Sequence, residues 1–198
     1  KAFATFSAEK GRGARHLLDL AEGPATLIDE SYNANPASMR AALSLLQSAE
    51  TGEGGRRIAV LGDMLEMGKF SEKVHRDLKP AIIEAGVDIV CLAGPEMRHL
   101  ADEIGGDLTV IYRESAEDLA DWLKGNIKSG DAVMVKSSFG IGFGKIVAAL
   151  IEAWPPLPAP TPVSNETPEE PPRPEDQPEG GPSTSEEAVP DVAPETKE

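Results

Sequence analysis

The 198 residues predict an α/β fold: a Rossmann-like, mostly parallel sheet with helices on both faces, followed by a disordered C-terminal tail. Three observations lead there. Short apolar runs alternate with stretches of helical period, the pattern of repeated βα units. Polar residues gather where the apolar runs end, and in open α/β sheets ligands bind beyond those carboxyl ends. Thirteen of the 17 prolines fall in the last 44 residues, where large apolar side chains nearly vanish. Such a segment cannot bury enough surface to offset its ordering entropy.

Residues 1–16 read as an entry segment that Phe3 and Phe6 could dock. A strand over 15–21 runs antiparallel to its neighbour, because the turn Glu22-Gly23-Pro24 is short. Residues 25–28 are a buried strand, and Asn35 and Pro36 then form the N-cap and first position of a helix. Met39, Ala42, Leu43 and Leu46 give that helix one apolar face. Gly52, Gly54 and Gly55 break the chain before a strand over 57–61, whose polar loop holds Gly62, Asp63, Glu66 and Gly68. Ser71 is placed to cap a helix reaching residue 85, with Val74, Leu78, Ile82 and Ala85 inward and a kink at Pro80. Strands at 87–93, 108–112 and 132–136 follow. Helices begin at Gly94-Pro95, at the Ser115 cap and near Gly144, the last running to Trp154. The tail then covers 155–198.

Formal net charge is −15, of which −9 lies from Trp154 onward. A mildly acidic core lacks the clustered Lys and Arg of a duplex nucleic-acid footprint. The single cysteine, Cys91, excludes an intrachain disulfide, and its apolar neighbours make it a packed core thiol. No run of 18 apolar residues offers a membrane span, and the start carries no signal-peptide pattern. These features fit the cytoplasm. A chain that begins at Lys1 is expected to be a piece of a longer protein.

Arg12 lies between Gly11 and Gly13, so its guanidinium fork is placed either for plain solvation or for a phosphate or ribose contact. A carboxylate at the Asp29-Glu30 step suits a ribose hydroxyl pair, and either residue could supply it. Lys136, Ser137 and Ser138 end a strand on the same edge as Asn33 and Asp63, where a lysine meets either water or an anionic ligand. Asp63 and Glu66 are two acids without a third partner, which favours loop solvation and helix capping over a metal. His75 reads as a hydrogen-bonding structural residue ahead of a general base. The glycines before Lys145 fail the spacing of a phosphate loop, since Ile146 stands where Ser or Thr is needed.

Asp29-Glu30-Ser31-Tyr32-Asn33-Ala34-Asn35-Pro36-Ala37-Ser38-Met39 resembles the signature of the C-terminal domain of Mur ligases, nearest to the branch that adds D-alanyl-D-alanine. Gly11-Arg12, the loop 61–68, His75-Arg76 and the string 133–138 agree, and together they cover about residues 1–153. The resemblance implies an ATP-dependent amide ligase of peptidoglycan precursor synthesis. ATP phosphorylates the peptide carboxylate of UDP-N-acetylmuramoyl-tripeptide, and the amine of D-alanyl-D-alanine attacks the acyl phosphate. It places Arg12, Asp29, Glu30, Tyr32, Asn33 and Asn35 on the ATP. It places Ser38, Asp63, Glu66, His75, Lys136, Ser137 and Ser138 near the other substrates. Mg2+ and the phosphate loop belong to a central domain absent from these residues, so 1–14 would be a linker, 15–154 the C-terminal domain, and the chain alone an inactive monomer with no catalytic or metal-binding residue of its own. The family usually has Lys-Gly-Ser followed by an Arg-bearing stretch; this chain has Lys136-Ser137-Ser138 and then Phe139-Gly140-Ile141-Gly142-Phe143. The alternative is a self-standing Rossmann-like binding module whose acidic tail recruits a partner.

Overall fold

A computed structural model describes residues 11–158. Phe3, Phe6 and the tail beyond residue 158 lie outside the described residues. Six strands form one sheet in the order β1-β2-β6-β3-β4-β5. β1 (Ala14–Leu20) pairs antiparallel with β2 (Gly23–Glu30). β3 (Arg57–Gly62), β4 (Ile89–Ala93), β5 (Thr109–Arg113) and β6 (Ala132–Lys136) run parallel with β2. Parallel neighbours need crossovers, and helices supply them on both faces.

The two-residue period of the strands divides the core. Ile28, Ala59, Leu61, Val90, Leu92 and Met134 point to one face, under α1 (Pro36–Gln47), α2 (Ser71–Arg76), α3 (Lys79–Glu84) and α4 (Met97–Ile104). Leu27, Ile58, Val60, Cys91, Val133 and Val135 point to the other, under α5 (Ala116–Asn126) and α6 (Gly144–Ala153). Each fully buried Leu or Ile is worth about 1.5–3 kcal/mol over exposure, so the two packed faces supply much of the drive to fold.

The helix expected over 71–85 is two helices broken at Asp77 and Leu78. Pro80 sits in the first turn of α3, where its missing N–H costs nothing, instead of kinking a helix interior. Ser71 is the first residue of α2 and caps nothing, because a 3-10 turn over Gly68–Phe70 leads straight into the helix. Chain order beyond Trp154 also differs from expectation. Pro156 bridges Leu18, and the Leu157 N–H donates to the Leu17 carbonyl at 2.8 Å, extending the ordered chain along the β1 edge.

Candidate functional site

The parallel strands end together at Glu30, Gly62, Ala93, Arg113 and Lys136, and the loops beyond them form the candidate site. The signature residues divide there into two groups. One group is buried and committed to holding loops; the other faces the open edge.

Asp29 belongs to the first group. Its carboxylate accepts from the Gly11 N–H at 2.9 Å and from Ser31, at 3.1 Å from the N–H and 2.6 Å from Oγ. With three donors on a buried carboxylate, Asp29 staples the Gly11 turn to the end of β2. Of the two acids left open by the sequence, Glu30 is the one that stays partly exposed. Asn35 and Ser38 are likewise spent on each other. The Ser38 N–H donates to Asn35 Oδ1 at 2.9 Å and the Asn35 N–H to Ser38 Oγ at 3.0 Å, a reciprocal cap on α1.

Asp63, 2% exposed, accepts from the Met97 N–H at 2.9 Å and so caps α4 from another loop. Burial pushes its carboxyl above the usual aspartate range, against the opposing pull of the Met97 and Glu96 N–H groups. Gly94 is required beside it: a Cβ there, at φ +117°, would collide with the Asp63 carboxylate. His75 is wholly buried. Its Nδ1 lies 2.7 Å from the Ser71 carbonyl, which can only accept, so Nδ1 carries the hydrogen and Nε2 accepts from the Met64 N–H at 2.9 Å. Both ring nitrogens are used, which makes His75 a brace for the 63–68 loop and leaves no lone pair for general-base work. Ser137 is buried and bonded to the Ser138 carbonyl. Ser138 ties three loops: its N–H donates to the Asp63 carbonyl at 3.1 Å, its Oγ accepts from the Leu65 N–H at 2.9 Å, and Oγ lies 3.4 Å from the Ala34 carbonyl. Lys136 is also inward, its Nζ 2.7 Å from the Asn33 carbonyl and 3.6 Å from Glu30 Oε2. Desolvation holds its ammonium below the ordinary lysine range, with Glu30 offsetting part of the shift.

The second group faces outward. The Arg12 guanidinium lies 4.4 Å over the Tyr32 ring, and Tyr32 meets Phe139 with centroids 5.6 Å apart at 52°. Tyr32 is 45% and Phe139 73% exposed. Asn33 is exposed beside them. A cavity of about 680 Å³ opens between Tyr32, Phe139 and the glycines leading into α6. A second, of about 500 Å³, is lined by Asn33, Asn35, Leu65, Glu66, Ser138 and Phe139. Glu66 has φ +66°, a left-handed conformation that non-glycine residues seldom adopt and that concentrates at functional loops. Phe139 is not expected in the site from sequence. An aromatic residue inside a glycine-rich run, where nothing local can bury it, was the available signal.

A Rossmann-like domain whose strand ends carry a braced turn, an aromatic stack and two adjoining cavities is built to take a ligand at that edge. The profile of the Mur ligase family, glutamate ligase domain, matches residues 16–139. The chain belongs to the Mur ligase family and corresponds to its C-terminal domain. It is 33% identical over 148 residues to the UDP-N-acetylmuramoyl-tripeptide–D-alanyl-D-alanine ligase of Bacillus subtilis, covering 73% of this chain and 32% of that one. The ligase of the same name from Rickettsia prowazekii is 28% identical over 147 residues, covering 74% and 31%. Among solved structures, MurF from Acinetobacter baumannii superposes with a TM-score of 0.61 at 26% identity, over 72% of this chain and 31% of that one. The chain thus spans about a third of the length of these relatives.

Proposed function

We propose that this chain is the closing domain of an ATP-dependent ligase that joins D-alanyl-D-alanine to UDP-N-acetylmuramoyl-tripeptide in the cytoplasm, working as a monomer. The observation that carries the reading is the division of the signature: its buried members brace the loops, and Arg12, Glu30, Tyr32, Asn33 and Glu66 are left at the open edge. In this reading Arg12, Tyr32 and Asn33 meet the nucleotide, with the partly exposed Glu30 carboxylate toward its ribose. The cavity beside Leu65, Glu66 and Ser138 receives the dipeptide, and the Glu66 carboxylate attracts its ammonium group.

The reaction transfers the γ-phosphoryl of ATP to the peptide carboxylate. The dipeptide amine then adds to the acyl carbon, the nitrogen loses its proton, and phosphate leaves. An acyl phosphate hydrolyses in water, so a domain that closes over the site and excludes solvent is part of the chemistry. Among the described residues no three His, Cys, Asp or Glu side chains gather as a metal site requires. In this reading, as the family resemblance implies, Mg2+ is held with the phosphate loop by a domain upstream of these residues.

Calorimetry tests the reading. ATP is expected to bind this chain weakly, and to bind tightly to a polypeptide extended upstream through a Gly-Lys-Thr phosphate loop, with phosphate release that depends on D-alanyl-D-alanine. Tight one-to-one binding by this chain alone would overturn it in favour of a self-standing binding module.

A further inference from the structure

Among the described residues Lys136 is the only buried lysine or arginine, at 2% exposure. Burying an ammonium is costly unless close, well-aligned partners replace its water. Lys136 is poorly repaid in that respect. Its carboxylate, Glu30, stands 3.6 Å away, beyond a hydrogen bond, and its short contact is to a neutral carbonyl, that of Asn33. A methionine would fill the same space without the charge.

The position of Lys136 explains what the charge does. β6 lies between β2 and β3, and Lys136 stands opposite Glu30 on one side and Leu61 on the other, in the last rung of the sheet. From there its ammonium draws the Asn33 carbonyl inward. That carbonyl belongs to the peptide joining Asn33 to Ala34: Ala34 is buried against the core, while Asn33 and the preceding Tyr32 are exposed at the open edge. Asp29 anchors the turn at its start and the α1 cap at its end; between them the Tyr32 N–H donates to the Gly11 carbonyl at 3.1 Å, Ser138 Oγ lies 3.4 Å from the Ala34 carbonyl, and Lys136 adds a charged restraint at Asn33.

We propose that Lys136 is a positioning residue for the nucleotide, acting through the Asn33 carbonyl and the Glu30 carboxylate to hold turn 31–35 with Tyr32 and Asn33 facing the cleft. It is not a direct contact for substrate. The proposal rests on the nucleotide assignment made above, so two readouts are needed to separate them. In this chain, Lys136→Met is expected to speed hydrogen exchange of the Ser31–Asn33 amides roughly tenfold while the amides of β3 and β4 keep their protection. In the upstream-extended ligase the same substitution is expected to raise KM for ATP roughly tenfold and leave KM for D-alanyl-D-alanine within about twofold. Lys136→Gln retains a donor without the charge and is expected to fall between wild type and Lys136→Met on both scales; it decides the matter if the methionine variant does not fold. Uniform loosening of the whole sheet, or equal movement of both KM values, would make Lys136 merely structural and overturn the proposal. An extended wild-type protein that releases no phosphate with the dipeptide would overturn the ligase reading instead, while the exchange comparison would still decide whether Lys136 braces the turn.

Discussion

The two ends of the sheet use the same kinds of group to opposite effect. At the amino-terminal end, Asp131 is 1% exposed and grips Arg56 with both oxygens, at 3.1 Å to Nε and 2.6 Å to Nη2. It also accepts from the backbone N–H groups of Arg56 and Lys128, and Arg56 donates to the Asn126 carbonyl. Gly52, Gly55 and Gly130 pack so closely there that a Cβ on Gly55 would stand 2.0 Å from the Gly130 carbonyl oxygen. Every lone pair of the Asp131 carboxylate has a use, and no room remains for a ligand. At the carboxyl end, besides the hydrogen-bonded Asp29 and Asp63, a buried lysine stands 3.6 Å from its carboxylate, and an aromatic pair is exposed to solvent. Well-bonded buried carboxylates occur at both ends, Asp131 at one and Asp29, with three donors, at the other. What sets the carboxyl end apart is a buried ammonium below an exposed aromatic pair and two adjoining cavities.

This contrast is breakable. Removing one partner of a buried, hydrogen-bonded ion pair leaves the other uncompensated, so Asp131→Ala is expected to cost about 3–4 kcal/mol in urea unfolding. A loss below about 1 kcal/mol would mean that the lower clasp does not carry the fold. Tyr32→Ala and Phe139→Ala should do the reverse. Stability should stay within about 0.5 kcal/mol, as for exposed positions, while KM for ATP in the extended ligase should rise roughly tenfold for Tyr32→Ala, about 1.4 kcal/mol. A large stability loss on either substitution would assign the stack to folding.

The smallest effect concerns Asp63. Its carboxyl titrates above the ordinary aspartate range because it is buried. Between the ordinary value and the raised one, the native state keeps a proton that the unfolded chain has released. Its contribution to stability therefore falls as pH rises through that window. Asp63→Asn is expected to remove this part of the slope in pH-dependent unfolding, and an unchanged slope would discount the burial argument. Cys91 offers a check on the closed core. Burial pushes its thiol up to about 12, so it should resist thiol reagents at pH 8 until the sheet unfolds.

Much of this was legible in the chain. Alternating apolar strands and amphipathic helices set the α/β class, because a period of two or of 3.6 residues is a local property. The Asn35 and Ser115 caps and the antiparallel first hairpin were equally local. Pro80 was read as a kink because sequence shows a proline in a helical pattern, not which helix it opens. The site was legible as a set of residues and not as a division of labour. Only the resemblance put Asp29 on the nucleotide and His75 and Lys136 near the other substrates; read in line, His75 was already a structural residue and Lys136 was open between water and an anion.

The sequence by itself determined the order of elements, the edge at which the loops collect and the family to which the chain belongs. Only the tertiary structure decided which polar groups are buried in bracing the loops and which stand at the open edge. Lys136 meets a carbonyl 103 residues away, Ser138 reaches an N–H 73 residues away, and Asp63 caps a helix 34 residues on. A buried polar group must find a partner, but which partner depends on strands brought side by side by the whole sheet.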